Sequence, residues 1–146
     1  MFDRFNDDAR RTMAAARQAA QRLGVDYLGT EHVALGLLEV GGTAGDVLRR
    51  LGIDPAALSL AVEEAAPRGS TTFTGQVPFT RGAKFTLERA LEEAQAHGHK
   101  RIGTEHLLLG VVRAGDDPTA GVLARFGLDV GRVRAAVLGL VRPGPD

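Results

Sequence analysis

The chain has no cysteine, no tryptophan, one tyrosine and six phenylalanines in 146 residues. Without thiols there are no disulfides, no thiolate metal sites and no cysteine nucleophiles. Few aromatics beside abundant alanine and leucine favour close-packed helices over strands. Neither sign of charge is in excess: 18 basic residues balance 18 acidic ones. That leaves no electrostatic footprint for nucleic acid or an anionic membrane. No apolar run approaches the roughly 20 residues a membrane span needs. The amino terminus, Met1-Phe2-Asp3-Arg4, lacks the apolar centre of a signal peptide. A cytoplasmic protein without a membrane role is the expectation. Catalytic signatures are missing too. There is no Gly-x-x-x-x-Gly-Lys-Ser/Thr loop, no Gly-x-Ser-x-Gly elbow and no His-Glu-x-x-His pair, so a non-enzymatic protein with no metal or cofactor is expected.

What the chain does have is a duplication. Gly29-Thr30-Glu31-His32 recurs letter for letter as Gly103-Thr104-Glu105-His106. At the same spacing Phe5, Ala9, Ala16, Ala20 and Gly24 answer to Phe79, Ala83, Ala90, Ala94 and Gly98, and Leu35-Gly36 to Leu109-Gly110. One inserted residue later, Val47-Leu48 and Gly52 answer to Val122-Leu123 and Gly127. A repeat of this length is one structural unit present twice.

Periodicity divides each unit into four helices. From Asn6 or Asp7 to Leu23, Ala9, Met13, Ala16, Ala20 and Leu23 recur at helical steps, with Asn6 as cap and Gly24 as stop. Thr30 is expected to cap a second helix whose Val33, Ala34, Leu35, Leu37 and Leu38 leave almost no polar face, the mark of a buried helix. Gly36 within it points to close approach by a neighbour. A short third helix over Thr43 to Leu51 and a fourth opened by Asp54-Pro55 complete the unit. The second unit repeats the plan, with caps expected at Thr80, Thr104 and Asp129 and a start at Asp117-Pro118. The Gly/Ser/Thr/Pro-rich stretch 67–78 reads as a linker. The expectation is an all-α fold of eight helices in two pseudo-twofold-related four-helix repeats, 1–66 and 79–141, followed by a tail, 142–146.

Several residues invite a role. Thr30 and Thr104 are explained as helix caps, and His32 and His106 as hydrogen-bonded core residues, since no second ligand accompanies either histidine. Glu31 and Glu105 gain from the helix dipole, and a carboxylate at the mouth of an inter-helix groove also suits a bidentate grip on a guanidinium. Phe5 and Phe79 suit hydrophobic staples on their own helices, which leaves Phe2 to face a partner. Glu88, Glu92 and Glu93 read as a solvated face, and His97 and His99 as polar-loop residues.

Phe-x-x-x-Ala, Gly-Thr-Glu-His-(apolar)-x-Leu-Gly and Val-Leu-x-x-(Leu/Phe)-Gly, each present twice, resemble the Clp repeat (Clp N) domain. This is the amino-terminal domain of ClpC- and ClpA-type unfoldases, and the likeness covers essentially the whole chain. The opening Met-Phe-x-Arg-Phe is similar to the ClpC branch. The resemblance implies a docking domain for adaptor and substrate proteins, associated with a ClpC-type unfoldase. It implies phosphoarginine binding by Glu31 and Glu105, with Thr80 and Lys84 in the better-kept second unit. It further implies a face for peptides or cyclic-peptide antibiotics at Phe2, Arg10, Phe79, Lys84 and Glu88. Where the family commonly has Thr-x-Arg before the alanine, this chain has Asn6-Asp7-Asp8 and Thr80-Arg81-Gly82. With no unfoldase modules after Asp146, a free-standing domain that sequesters cyclic peptides is the alternative expectation.

Overall fold

A computed structural model describes residues 2–72, 74–114 and 118–141. Among them run eight α-helices and no strand: α1 (Asp7–Leu23), α2 (Thr30–Val40), α3 (Gly42–Arg50), α4 (Pro55–Ala65), α5 (Arg81–Ala96), α6 (Thr104–Ala114), α7 (Thr119–Arg125) and α8 (Val130–Leu140). A single 3-10 turn at Phe2–Arg4 precedes them, which the periodicity does not announce. The expected start at Asp117 and the tail 142–146 lie outside the described residues, as do Met1 and linker residue Phe73.

Local chemistry sets the helix ends. Asn6, Thr80 and Asp129 each accept a hydrogen bond from the backbone N–H three residues on, at 2.9, 3.1 and 2.8 Å. Asp54 caps α4 through Ala56 N–H at 3.0 Å, with Pro55 in the first turn. Gly24, at φ 75°, supplies the left-handed residue that ends α1.

The core is built around α2 and α6, which pack against each other. Val33, Ala34, Leu35 and Leu37 of α2 and Leu107 to Leu109 of α6 are all buried, so both helices are apolar all round for the reason the sequence suggested. Each is covered by the first helix of its own repeat, α1 on α2 and α5 on α6. Gly36 and Gly110 make this approach close. A Cβ on Gly36 would overlap the Thr12 carbonyl oxygen and stand 2.9 Å from the Ala16 nitrogen; a Cβ on Gly110 would overlap the Thr86 carbonyl.

The two repeats are interlocked rather than set side by side. α3 packs on α8, and α7 packs on α4, so each third helix lies against the other repeat's fourth. Phe5 and Phe79, expected to staple onto their own helices, instead carry backbone bridges to the opposite repeat. Asn6 N–H donates to the Ile102 carbonyl and Ile102 N–H to the Arg4 carbonyl, both at 2.9 Å. In the matching place Leu28 N–H donates to Pro78 and Thr80 N–H to Leu28, again at 2.9 Å. The linker is irregular but anchored: Gly69 N–H donates to Leu23 and Thr71 N–H to Gly24, both at 2.9 Å.

Alanine is favoured over glycine in a helix by about 1 kcal/mol, but overpacking against a backbone that cannot yield costs about 1–3 kcal/mol. Gly110→Ala should therefore lower the unfolding free energy in urea titrations. Gly121→Ala in α7, where nothing lies within 4 Å of a new Cβ, should raise it.

Candidate functional site

The two cross-repeat bridges fix which helix ends meet. The Phe5–Ile102 bridge sets the N-terminus of α1 beside that of α6, and the Leu28–Phe79 bridge sets the N-terminus of α5 beside that of α2. Each junction therefore gathers two helix N-termini with their free N–H groups and positive dipole ends, the kind of place that attracts anions. Each also holds one glutamate of the repeated tetrapeptide, Glu105 in the first junction and Glu31 in the second. Both glutamates are buried, at 6 % and 8 % exposure.

The tetrapeptide's glycine makes room for its glutamate. A Cβ at Gly29 would meet the Glu31 carboxylate at 2.5 Å, and one at Gly103 would overlap the Glu105 carboxylate. Asn6 Nδ2 lies 2.9 Å from the same point, so the α1 cap stands next to the Glu105 acid. Burial pushes the Glu105 carboxyl up, and the Asp8 charge adds to the shift, against the pull of a backbone N–H. A cation brought to this junction would favour the ionised form.

Neither threonine caps its own helix. Gly29 occupies the N-cap of α2 and Thr30 is its first helical residue. In α6, Thr104 is likewise the first helical residue, and its hydroxyl reaches to the other repeat. It accepts from Ala44 N–H at 3.0 Å and donates to the Gly41 carbonyl at 2.9 Å, capping α3. The caps of α2 and α6 come from the histidines. His32 Nδ1 accepts from Gly29 N–H at 2.8 Å and His106 Nδ1 from Gly103 N–H at 3.0 Å, reaching back as the last residue of a capping box does. Each ring then carries its proton on Nε2. That of His106 donates to His99 Nδ1 at 2.7 Å, and that of His32 has no partner among the described residues.

Two polar residues are not solvated as their sequence context suggests. His99 is buried against His106. Glu93 is 3 % exposed and accepts from Arg113 at 3.0 Å and Arg134 at 2.6 Å, with His97 at 3.2 Å. Burial raises the Glu93 pKa, but the hydrogen bonds and charges of Arg134, His97 and Arg113 together hold it below the ordinary value.

Of the residues expected to form a peptide or antibiotic face, two, Phe2 and Phe79, line one groove of about 440 Å³ together with Met13, Arg17, Leu28 and Val77. Phe2 is 47 % exposed and edge-on to Phe5 at 5.1 Å. Arg10, Lys84 and Glu88 do not line it: Arg10 pairs with Asp7 at 3.3 Å, Glu88 with Arg89 at 3.5 Å, and Lys84 is exposed one turn into α5. Met13 and Val77 were hidden from sequence reading because a helix-face methionine and a linker valine look like ordinary core and loop. Of the expected phosphoarginine group, Thr80 and Glu31 come to one junction and Glu105 lies at the other. Among the described residues no cluster of three or more His, Asp or Glu suits a metal ion.

A model of the Clp repeat N-terminal domain matches residues 4–126 and 79–145. The chain belongs to this family. A Clp protease ATP-binding subunit, a ClpA homolog of Guillardia theta, is 42 % identical over 142 residues, 97 % of this chain. The chaperone protein ClpC1 of Arabidopsis thaliana, a chloroplast protein, shares 42 % over the same share of the chain. The chain spans 17 % and 15 % of their lengths. Among solved structures, the amino-terminal domain of ClpD from A. thaliana has a TM-score of 0.70 at 28 % identity, covering 95 % of each chain. That of Hsp104 from Candida albicans has a TM-score of 0.76 at 15 % identity, covering 93 % and 90 %, a likeness of fold alone. This Clp repeat domain thus carries the eight-helix fold of the amino-terminal domains of Clp chaperones. No described helix is long and apolar enough to cross a membrane.

Burial brings both His32 and His106 down to about 4, with Arg22 adding to the effect at the first and His99 at the second. The unfolded chain takes up these protons near pH 6.5, whereas the folded domain takes them up only near pH 4. Between those values the unfolded state binds more protons, so stability falls as the pH falls, by about 2 kcal/mol per histidine at pH 5. Glutamine can also reach back to a cap N–H. His32→Gln should therefore reduce the stability lost between pH 7 and pH 5, read from urea unfolding at each pH.

Proposed function

We propose that this domain is a non-enzymatic recognition module of the Clp chaperone–protease system that binds arginine-phosphorylated proteins at its helix junctions. The observation that carries the reading is the pairing of a buried glutamate with the N-terminus of a helix from the other repeat. Phosphoarginine has two unlike ends, N–H donors on the guanidino group and a phosphoryl anion beyond them. A carboxylate suits the first through charge-assisted hydrogen bonds. A helix N-terminus suits the second through free N–H groups and its dipole. Each junction offers both.

The junctions are unequal. α1 has Asp7 and Asp8 in its first turn, which repel a phosphate. α5 has no acid there, and Arg81 and Lys84 stand in that turn with Thr80 as cap. Glu31, Thr80 and Lys84 therefore form the stronger site, and Glu105 serves a weaker one. Adaptor proteins and a ClpC-type unfoldase are the partners that follow from this reading. A catalytic role for His32 or His106 is disfavoured by their geometry, since Nδ1 of each is occupied by a backbone N–H and burial holds each ring neutral.

A second reading has its own observation. The groove between Phe2 and Phe79 is apolar along Met13, Leu28 and Val77 and has the size of a small-ligand pocket. An apolar cyclic peptide or an apolar side chain of a substrate suits it, and a domain that binds such a peptide acts as a sequestering protein for it.

Calorimetric titration with free phosphoarginine should give about one strong site per chain, as the unequal helix ends require. Glu31→Ala should abolish that strong binding, whereas Asp8→Asn should strengthen the weaker site. Phe79→Ala should leave phosphoarginine binding intact and weaken an apolar cyclic peptide. Absence of phosphoarginine binding by the parent domain would leave the groove as the recognition surface.

A further inference from the structure

The cross-packing of third helices on fourth helices makes two seams, and the duplication supplies each with a control in the other. In the α3–α8 seam a cleft of about 390 Å³ opens between Arg50 and Leu51 on one side and Arg132, Ala135 and Ala136 on the other. The Arg50 guanidinium lies over α8, 3.3 Å from where a Cβ of Gly139 would stand. It has no carboxylate partner among the described residues. Arg132 gives one guanidinium N–H to the Gly127 carbonyl at 2.7 Å and likewise has no carboxylate.

The acids that could neutralise this pair are engaged elsewhere. Asp46, the one acid of α3, pairs with Arg49 at 3.0 Å, and Asp129 caps α8. α8 itself contains no acid, and its outer face carries exposed Ala135, Leu138 and Gly139. At the α4–α7 seam the matching residues differ. Arg125 is kept, but Ala57 stands for Arg132, Leu60 for Ala135, and Glu63 and Glu64 for Leu138 and Gly139. The α4–α7 seam thus has acids on α4 at the positions of Leu138 and Gly139, whereas the α3–α8 seam has two arginines without a carboxylate partner among the described residues around an apolar floor.

We infer that the α3–α8 seam docks an acidic segment of a partner protein, whose carboxylates pair with Arg50 and Arg132 while its apolar residues lie on Leu51, Ala135 and Leu138. Guanidinium groups suit carboxylates by shape as well as charge. The apolar floor between them favours a peptide over a polyanion of uniform charge. The surface is separate from the glutamate junctions and from the Phe2–Phe79 groove, so a partner held here leaves both open.

The test uses the whole chain and a fluorescent peptide of alternating glutamate and leucine, read by anisotropy at low salt. The parent should bind it, and the Arg50→Glu/Arg132→Glu double variant should bind it roughly tenfold or more weakly, as expected for the loss of charge-complementary pairs. Arg125→Glu at the matching seam and Lys84→Ala on α5 should leave the affinity unchanged. Both altered arginines are exposed, and circular dichroism would verify that the fold is kept. The inference is overturned by any of four results. These are no binding by the parent, equal binding of the peptide with glutamine in place of glutamate, an equal loss in Arg125→Glu or Lys84→Ala, or equally effective competition by a single-stranded oligonucleotide.

Discussion

Four backbone hydrogen bonds, two at Phe5–Ile102 and two at Leu28–Phe79, decide which helix ends meet in this domain. They are made by residues just ahead of helices, so pairing them brings helix N-termini of different repeats together. A lone repeat has neither bridge and therefore no junction. The remaining architecture supports this crossing: α2 and α6 meet in the centre, and the third helices pack across the divide. The hydroxyl of Thr104 ties α6 to the start of α3. The paired helix N-termini are thus a property of the duplication and not of the repeat.

The helices were legible in the sequence because they follow from local rules. Asn6, Asp54, Thr80 and Asp129 cap through their own side chains, and the unbroken run Val33 to Leu38 in α2 requires burial. Gly36 and Gly110 announced close packing by costing helix stability with no local compensation. The crossing was not legible. Nothing local tells whether Phe79 staples to α5 or pairs with Leu28 of the other repeat. The threonine caps were misplaced for a similar reason: a threonine before an apolar run is an N-cap by statistics, yet here Gly29 takes the cap and His32, a hydrogen-bonded core residue as expected, satisfies it from three residues on. Of the site, the paired glutamates stood out by repetition, while Met13 and Val77 of the groove carried no pattern.

The two repeats have the same frame and different interiors. Around Glu93 the second repeat buries a carboxylate under Arg113 and Arg134, beside the chain of His97, His99 and His106. The first repeat has Ala19 where the second has Glu93, and Val25 where it has His99. The second repeat therefore spends desolvation on a polar network that must be complete to be tolerated. The first leaves the Nε2–H of His32 without a partner among the described residues. Duplication preserved the backbone rules and left side-chain chemistry free to diverge, which is why one junction faces acids and the other bases.

The Phe5–Ile102 bridge also orders events in time. It joins positions separated by most of the chain, and such contacts form late because a long loop must close first. During synthesis α1 and α2 emerge well before Ile102 exists to receive Asn6. The first repeat must wait with its leading edge unpaired and with α2 covered by α1 but not yet by α6. The two junctions therefore form at different times: the Leu28–Phe79 junction needs only the chain through α5, whereas the Phe5–Ile102 junction waits for α6.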